Sequence, residues 1–222
     1  MTHLEIVEVR DAPGGGPAGL AWDGQLLWHA DYAAGSLFAL DPESGAVQDR
    51  ILCPGVVSGL AWDGQSLWQA LMDEGWLRNI NPQTHDFDRT IVVEAHGRLS
   101  GVTWDGQQLW VASQQNGQLL AIDRERENVR RTLDIPVAVG GIAYQAGSLW
   151  LGFPDRMVYT AGEFKWAGPP DHYAVAQLDP QTGRETARYP IDFLPLGMEW
   201  VGDDLWLANA TQRQLVRAQL VD

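Results

Sequence analysis

Acid–base chemistry needs a carboxyl group and an imidazole held near each other, and this 222-residue chain offers one candidate set, Glu199, His29 and Asp31. Glu199 occupies a position that related segments fill with Ala21, Ala61, Thr103 and Ala143. His29 stands where others carry Val111, Leu151 and Leu207, with Gln69 as the second polar exception. A carboxyl group in an apolar slot loses its water, and desolvation raises its pKa toward neutrality, where it can give and take a proton. The same residues could equally be a buried, hydrogen-bonded pair that only holds a seam. The two readings differ in whether a substrate reaches the pair.

A second set could grip a ligand. Trp76 and Trp166 are the two tryptophans that fall outside repeated positions, and a flat or apolar molecule could stack on either. Tyr159 and Phe164 share with Trp166 a long segment from Phe153 to Tyr173. In the stretch from Glu94 to Ser100, Arg98 could clamp a carboxylate and His96 could carry a proton. The alternative is that these side chains merely cover a rim or stand in solvent. His96 and His172 have no metal-motif spacing, and no phosphate-cradling glycine loop or nucleophile elbow is present, so neither a metal nor a cofactor is expected. Cys53 has no activating base beside it in the sequence and reads as a small buried hydrophobe.

The elements that must position these groups come from a repeat. Gly-Leu-Ala-Trp-Asp-Gly-Gln at 19–25 returns at 59–65 and, as Gly-Val-Thr-Trp-Asp-Gly-Gln, at 101–107, with weaker copies from Gly141 and Gly197. Each unit reads as four short strands. In the first they run over 19–22, 26–30, 36–40 and 46–52, with Asp23-Gly24, Gly35 and Asp41 to Gly45 at the turns. Five such units predict an all-β, five-bladed β-propeller, one domain over residues 1–222. The last unit lacks a fourth strand, and Leu4 to Val9 alternates correctly to supply it, closing the ring and making blades five and one neighbours. Nine of the eleven tryptophans fill two repeated slots, which marks them as core residues rather than a sugar-binding platform. Loops between strands two and three should open on the face that carries the mouth of the channel. There the segment 153–173 is a lid-like insertion.

A unit reading Gly-Leu-Ala-Trp-Asp-Gly, then Leu-Trp, Gly-x-Leu and Asp-Pro-x-x-Gly resembles the blades of the superfamily containing NHL-type propellers, streptogramin B lyases and plant-type glutaminyl-peptide cyclotransferases. The resemblance spans the chain and implies the fold more than an activity. The five-bladed cyclotransferases carry Phe-Thr-Gln-Gly-Leu in their first blade. This chain has Gly16-Pro17-Ala18-Gly19-Leu20, with alanine in place of glutamine, and none of that family's catalytic residues transfers.

A net charge of −14 repels phosphate backbones and anionic lipid, so nucleic-acid and membrane partners are not expected. A single cysteine and an N-terminus without a signal-like apolar run point to the cytoplasm. The expected function is binding of a small organic ligand at the channel mouth under the 153–173 lid. Any catalysis there would be proton transfer of the lyase, cyclase or isomerase type. The alternatives are a non-catalytic scaffold that offers its rim to a protein partner, and a cyclotransferase-like enzyme.

Overall fold

The computed structural model describes the chain except residues 1, 56–57, 94–96, 115, 136, 161–162 and 168–171, and the side chains of Val158, Thr160, Phe164 and Trp166. After β1 (His3–Asp11), blade 1 is β2 (Pro17–Trp22), β3 (Leu27–Asp31), β4 (Ser36–Leu40) and β5 (Val47–Leu52). Blade 2 is β6 (Leu60–Trp62), β7 (Leu67–Leu71), β8 (Trp76–Ile80) and β9 (Phe87–Val92). Blade 3 is β10 (Leu99–Trp104), β11 (Leu109–Ser113), β12 (Gln118–Asp123) and β13 (Asn128–Asp134). Blade 4 holds β14 (Gly141–Gln145), β15 (Ser148–Pro154), β18 (Tyr173–Leu178) and β19 (Glu185–Ile191), with a separate hairpin of β16 (Met157–Thr160) and β17 (Glu163–Trp166) between its second and third strands. Blade 5 is β20 (Pro195–Val201), β21 (Asp204–Asn209) and β22 (Gln214–Val221), and β1 pairs antiparallel with β22 as its fourth strand. This is the five-bladed β-propeller read from the repeat, closed by the two ends of the chain.

The repeated residues each answer a physical requirement. Asp23, Asp63 and Asp105 accept backbone N–H groups of their own turns and, through the second carboxylate oxygen, the indole N–H of Trp28, Trp68 and Trp110 at 2.7–2.8 Å. Blade 4 has Gln145 and Ala146 at its turn, and the buried Trp150 Nε1 has no hydrogen-bond partner among the described residues. The two kinds of tryptophan should therefore respond differently to removal of the N–H. Trp68→Phe, which strips a donor from a buried carboxylate, is expected to cost about 1–2 kcal/mol more than Trp150→Phe, as read from urea unfolding of the two variants. Equal losses would show that the indole–aspartate bond contributes nothing net.

The leading glycine of each unit is required by close approach. The first strands of neighbouring blades pack backbone against backbone around the axis. A Cβ on Gly59 would overlap the backbone N of Val102, one on Gly101 would lie 2.6 Å from Ile142 Cγ2, and one on Gly197 would overlap the carbonyl oxygen of Ala18. The axial space inside this ring is about 120 Å³, lined by the glycines and by Leu20, Leu60, Val102, Ile142 and Met198, and no water-sized gap remains in it. The axial channel is therefore plugged, and a ligand of the channel has to sit at one of its ends.

Candidate functional site

The mouth end is the end at which β2, β6, β10, β14 and β20 begin and where β15 leads into the inserted hairpin. Asp155 N donates to His172 O at 2.8 Å across the hairpin's base. From there the hairpin leans over blade 3: a Cβ on Gly117, in the loop between β11 and β12, would lie 2.9 Å from the Tyr159 ring. Below it is a cavity of about 330 Å³, with Gln114 from blade 3, Gly140 before blade 4, Met157 and Tyr173 from the base of the insertion, Leu194 before blade 5 and Leu196 in β20. Leu196 lines the axial space as well, so the cavity stands directly above the plug. Among the described residues no charged side chain lines it. Gln114 Nε2 donates to Val139 O at 3.3 Å, which ties this carboxamide to the lip of blade 4.

None of Glu199, His29 and Asp31 lines this cavity, and among the described residues no hydrogen bond joins them to one another. Antiparallel pairing sets their heights. Glu199 is opposite Trp206 near the far turn of blade 5, and the matching level in blade 1 is Trp28, opposite Ala21. His29 is one residue higher and Asp31 three, which at about 3.3 Å per residue puts Asp31 roughly 10 Å above the glutamate's level. The Glu199 carboxylate accepts Trp200 N at 2.9 Å and also takes the backbone N–H of Trp22. Its residue is half-buried, yet protein atoms crowd the carboxyl group. This desolvation pushes the pKa up to about 8 against the pull of the two amides.

His29 is fully buried and stacked on Phe38, with ring centroids 5.2 Å apart. Burial pushes its pKa down to about 4, opposed by the Ala30 carbonyl and by the charge of Asp31. Its Nε2 has no hydrogen-bond partner among the described residues. Asp31, also fully buried, accepts Gly16 N and Ala34 N, each at 2.7 Å, and so pins the loop on either side of β2 and β3. The expected carboxylate–imidazole hydrogen bond is therefore not formed: Glu199 bonds backbone amides at a lower level, while His29 and Asp31 stand two residues apart on β3 and act on each other through charge alone.

Solved structures give the comparison. Myxococcus xanthus glutaminyl cyclase matches 100% of this chain and 98% of its own with a TM-score of 0.74 at 16% identity. A streptogramin B lyase matches 99% and 98% with a TM-score of 0.56 at 14% identity. The chain shares the β-propeller fold of these proteins. Kuenenia stuttgartiensis hydrazine synthase adds a partial likeness, 89% of this propeller against 56% of that chain, with a TM-score of 0.52 at 18% identity. No protein-family model and no curated protein sequence matches the propeller. At these identities the likeness is one of fold.

The remaining sequence candidates surround the mouth of the propeller without lining its cavity. Trp76 opens β8 and is 36% exposed. Arg98 is exposed and pairs with Asp73 at 3.0 Å. Tyr159 rests on Gly117 above the cavity. His96 lies outside the described residues, as do the side chains of Phe164 and Trp166. Of the residues that do line the cavity, Pro154, Met157 and Tyr173 fall in the 153–173 segment that the sequence singles out, whereas Gln114, Ala138, Gly140 and Leu194 lie in mouth-face connections and Leu196 in β20, where nothing in the repeat marks them. Among the described residues no group of three or more His, Cys, Asp or Glu is placed to hold a metal ion.

Proposed function

We propose that this propeller binds an uncharged, largely apolar small molecule in the mouth cavity, with the blade-four hairpin as its cover. The observation that carries the reading is a cavity of about 330 Å³, framed by three blades and the hairpin base and, among the described residues, free of charged side chains. That volume falls in the range of small-molecule sites, and apolar walls with a few polar groups are their usual composition. Gln114 and Tyr173 supply the side-chain hydrogen bonds that would orient a guest. Two of the fold neighbours are named as a cyclase and a lyase. Here, however, the phenol of Tyr173 is, among the described residues, the one ionisable side chain on the cavity wall, which favours binding over proton transfer.

The test is a thermal-shift screen of neutral metabolites against the parent protein, Met157→Trp and Trp76→Ala. Ligands of the cavity should stabilise the parent and Trp76→Ala and should lose at least ten-fold in affinity for Met157→Trp, in which an indole fills the space. Hits unaffected by Met157→Trp, or a screen of neutral compounds that yields none while charged ones bind, would overturn the reading.

A further inference from the structure

Four of the five seams between blades carry a guanidinium lying over an aromatic ring. Between blades 5 and 1, Arg50 covers Phe38 at 5.2 Å and Arg10 covers Trp206 at 4.9 Å. Arg78 covers Phe87 at 4.5 Å between blades 1 and 2, and Arg89 covers Trp68 at 5.1 Å between blades 2 and 3. Between blades 3 and 4, Arg188 covers Phe153 at 5.2 Å. The seam between blades 4 and 5 has the most aromatic cluster of all, Trp150, Tyr189, Phe193 and Trp200. Among the described residues no guanidinium lies over any of these rings. The cross-strand ladder accounts for one of these contacts: Arg89, over Trp68, sits across from it through Asn79, and the matching position in blade 4, across from Trp150 through Gln177, is Ala187.

Outside this cluster, where the outer strands of blades 4 and 5 meet, is a groove of about 440 Å³. Leu4 and Ile6 of β1, Ala218 of β22 and Ile191 of β19 form its walls. The register shift between Ile6 and Glu8 in β1 leaves Ile6 44% exposed on the rim. Asp192 and His172 stand at the end nearest the mouth face.

We propose that this groove binds an organic cation with an apolar stem, an alkyl guanidinium or ammonium. The stem lies on Leu4, Ile6 and Ile191, and the head meets the Asp192 carboxylate. A net charge of −14 raises the local concentration of cations and works against anionic guests. The site is separate from the mouth cavity, with no lining residue in common.

Hexylguanidinium chloride titrated into the full chain at low ionic strength should bind about two- to fivefold tighter than hexylurea, its uncharged isostere, with hexanoate weaker than both. Asp192→Asn, at an exposed position, should reduce hexylguanidinium to the affinity of hexylurea, and Ile6→Ser should weaken both. Equal binding of the charged and uncharged compounds would overturn the proposal. So would a preference that survives Asp192→Asn, or one that disappears in Met157→Trp and thereby belongs to the mouth cavity.

Discussion

Gly197→Ala is expected to leave the protein largely unfolded, the greatest effect of any single methyl group in the chain. The added Cβ would overlap the carbonyl oxygen of Ala18, and both partners of that clash are backbone. No rotamer change relieves such a clash; β20 would have to move away from β2. Those two strands meet at the seam where the ends of the chain close the ring. Overpacking of side chains alone costs roughly 1–3 kcal/mol. A backbone overlap that opens the seam should exceed about 4 kcal/mol, a large part of the 5–15 kcal/mol that holds an ordinary domain folded. Gly202→Ala is the control. Nothing lies within 4 Å of a Cβ there, although its φ of +62 is strained for alanine by about 1 kcal/mol. Soluble yield and urea midpoints should therefore be near-normal for Gly202→Ala and lost for Gly197→Ala. A Gly197→Ala midpoint within about 1 kcal/mol of the parent would mean that the first strands do not pack backbone to backbone.

The glycine illustrates why so much of the fold was legible. Gly19, Gly59, Gly101, Gly141 and Gly197 recur because each must let the next blade's backbone through, and Asp23, Asp63 and Asp105 recur because each anchors a turn and an indole. A requirement met once per blade leaves a repeat, and a repeat can be read. The fourth strand of blade 5 was legible at the N-terminus for the same reason. The site was harder. Glu199 and His29 were visible as exceptions, but adjacency of blades 5 and 1 carries no information on height, which the cross-strand register sets. The segment from 153 to 173 was visible as an insertion on the mouth face, whereas its β16–β17 hairpin was not. Gln114 and Leu194 lie in connections whose sequences differ from blade to blade, so nothing marked them as a wall.

Because Glu199 faces the closing seam, its ionisation should govern how stability depends on pH. Its pKa is raised from 4.5 to about 8 in the folded protein, so the contribution it makes is complete below about pH 4.5 and is lost as the pH rises through 8. Each pKa unit corresponds to about 1.4 kcal/mol. With a discount for partial exposure the loss should reach about 3 kcal/mol. His29 acts in the opposite sense. Its pKa falls from 6.5 to about 4, so its contribution is complete above about pH 6.5 and is lost as the pH falls through 4. Glu199→Gln keeps the shape and an oxygen acceptor for Trp200 N and removes the charge. The variant should match the parent at pH 4.5, gain on it steadily between pH 5 and 8, and exceed it by about 3 kcal/mol at pH 9. Urea unfolding at these pH values measures the difference directly, and the other titrating groups cancel between the two proteins. A constant offset across the series would show that the carboxyl group ionises in the folded ring as it does in the unfolded chain, and a widening loss for Glu199→Gln would show that the Trp200 and Trp22 amides hold it as a stabilising anion.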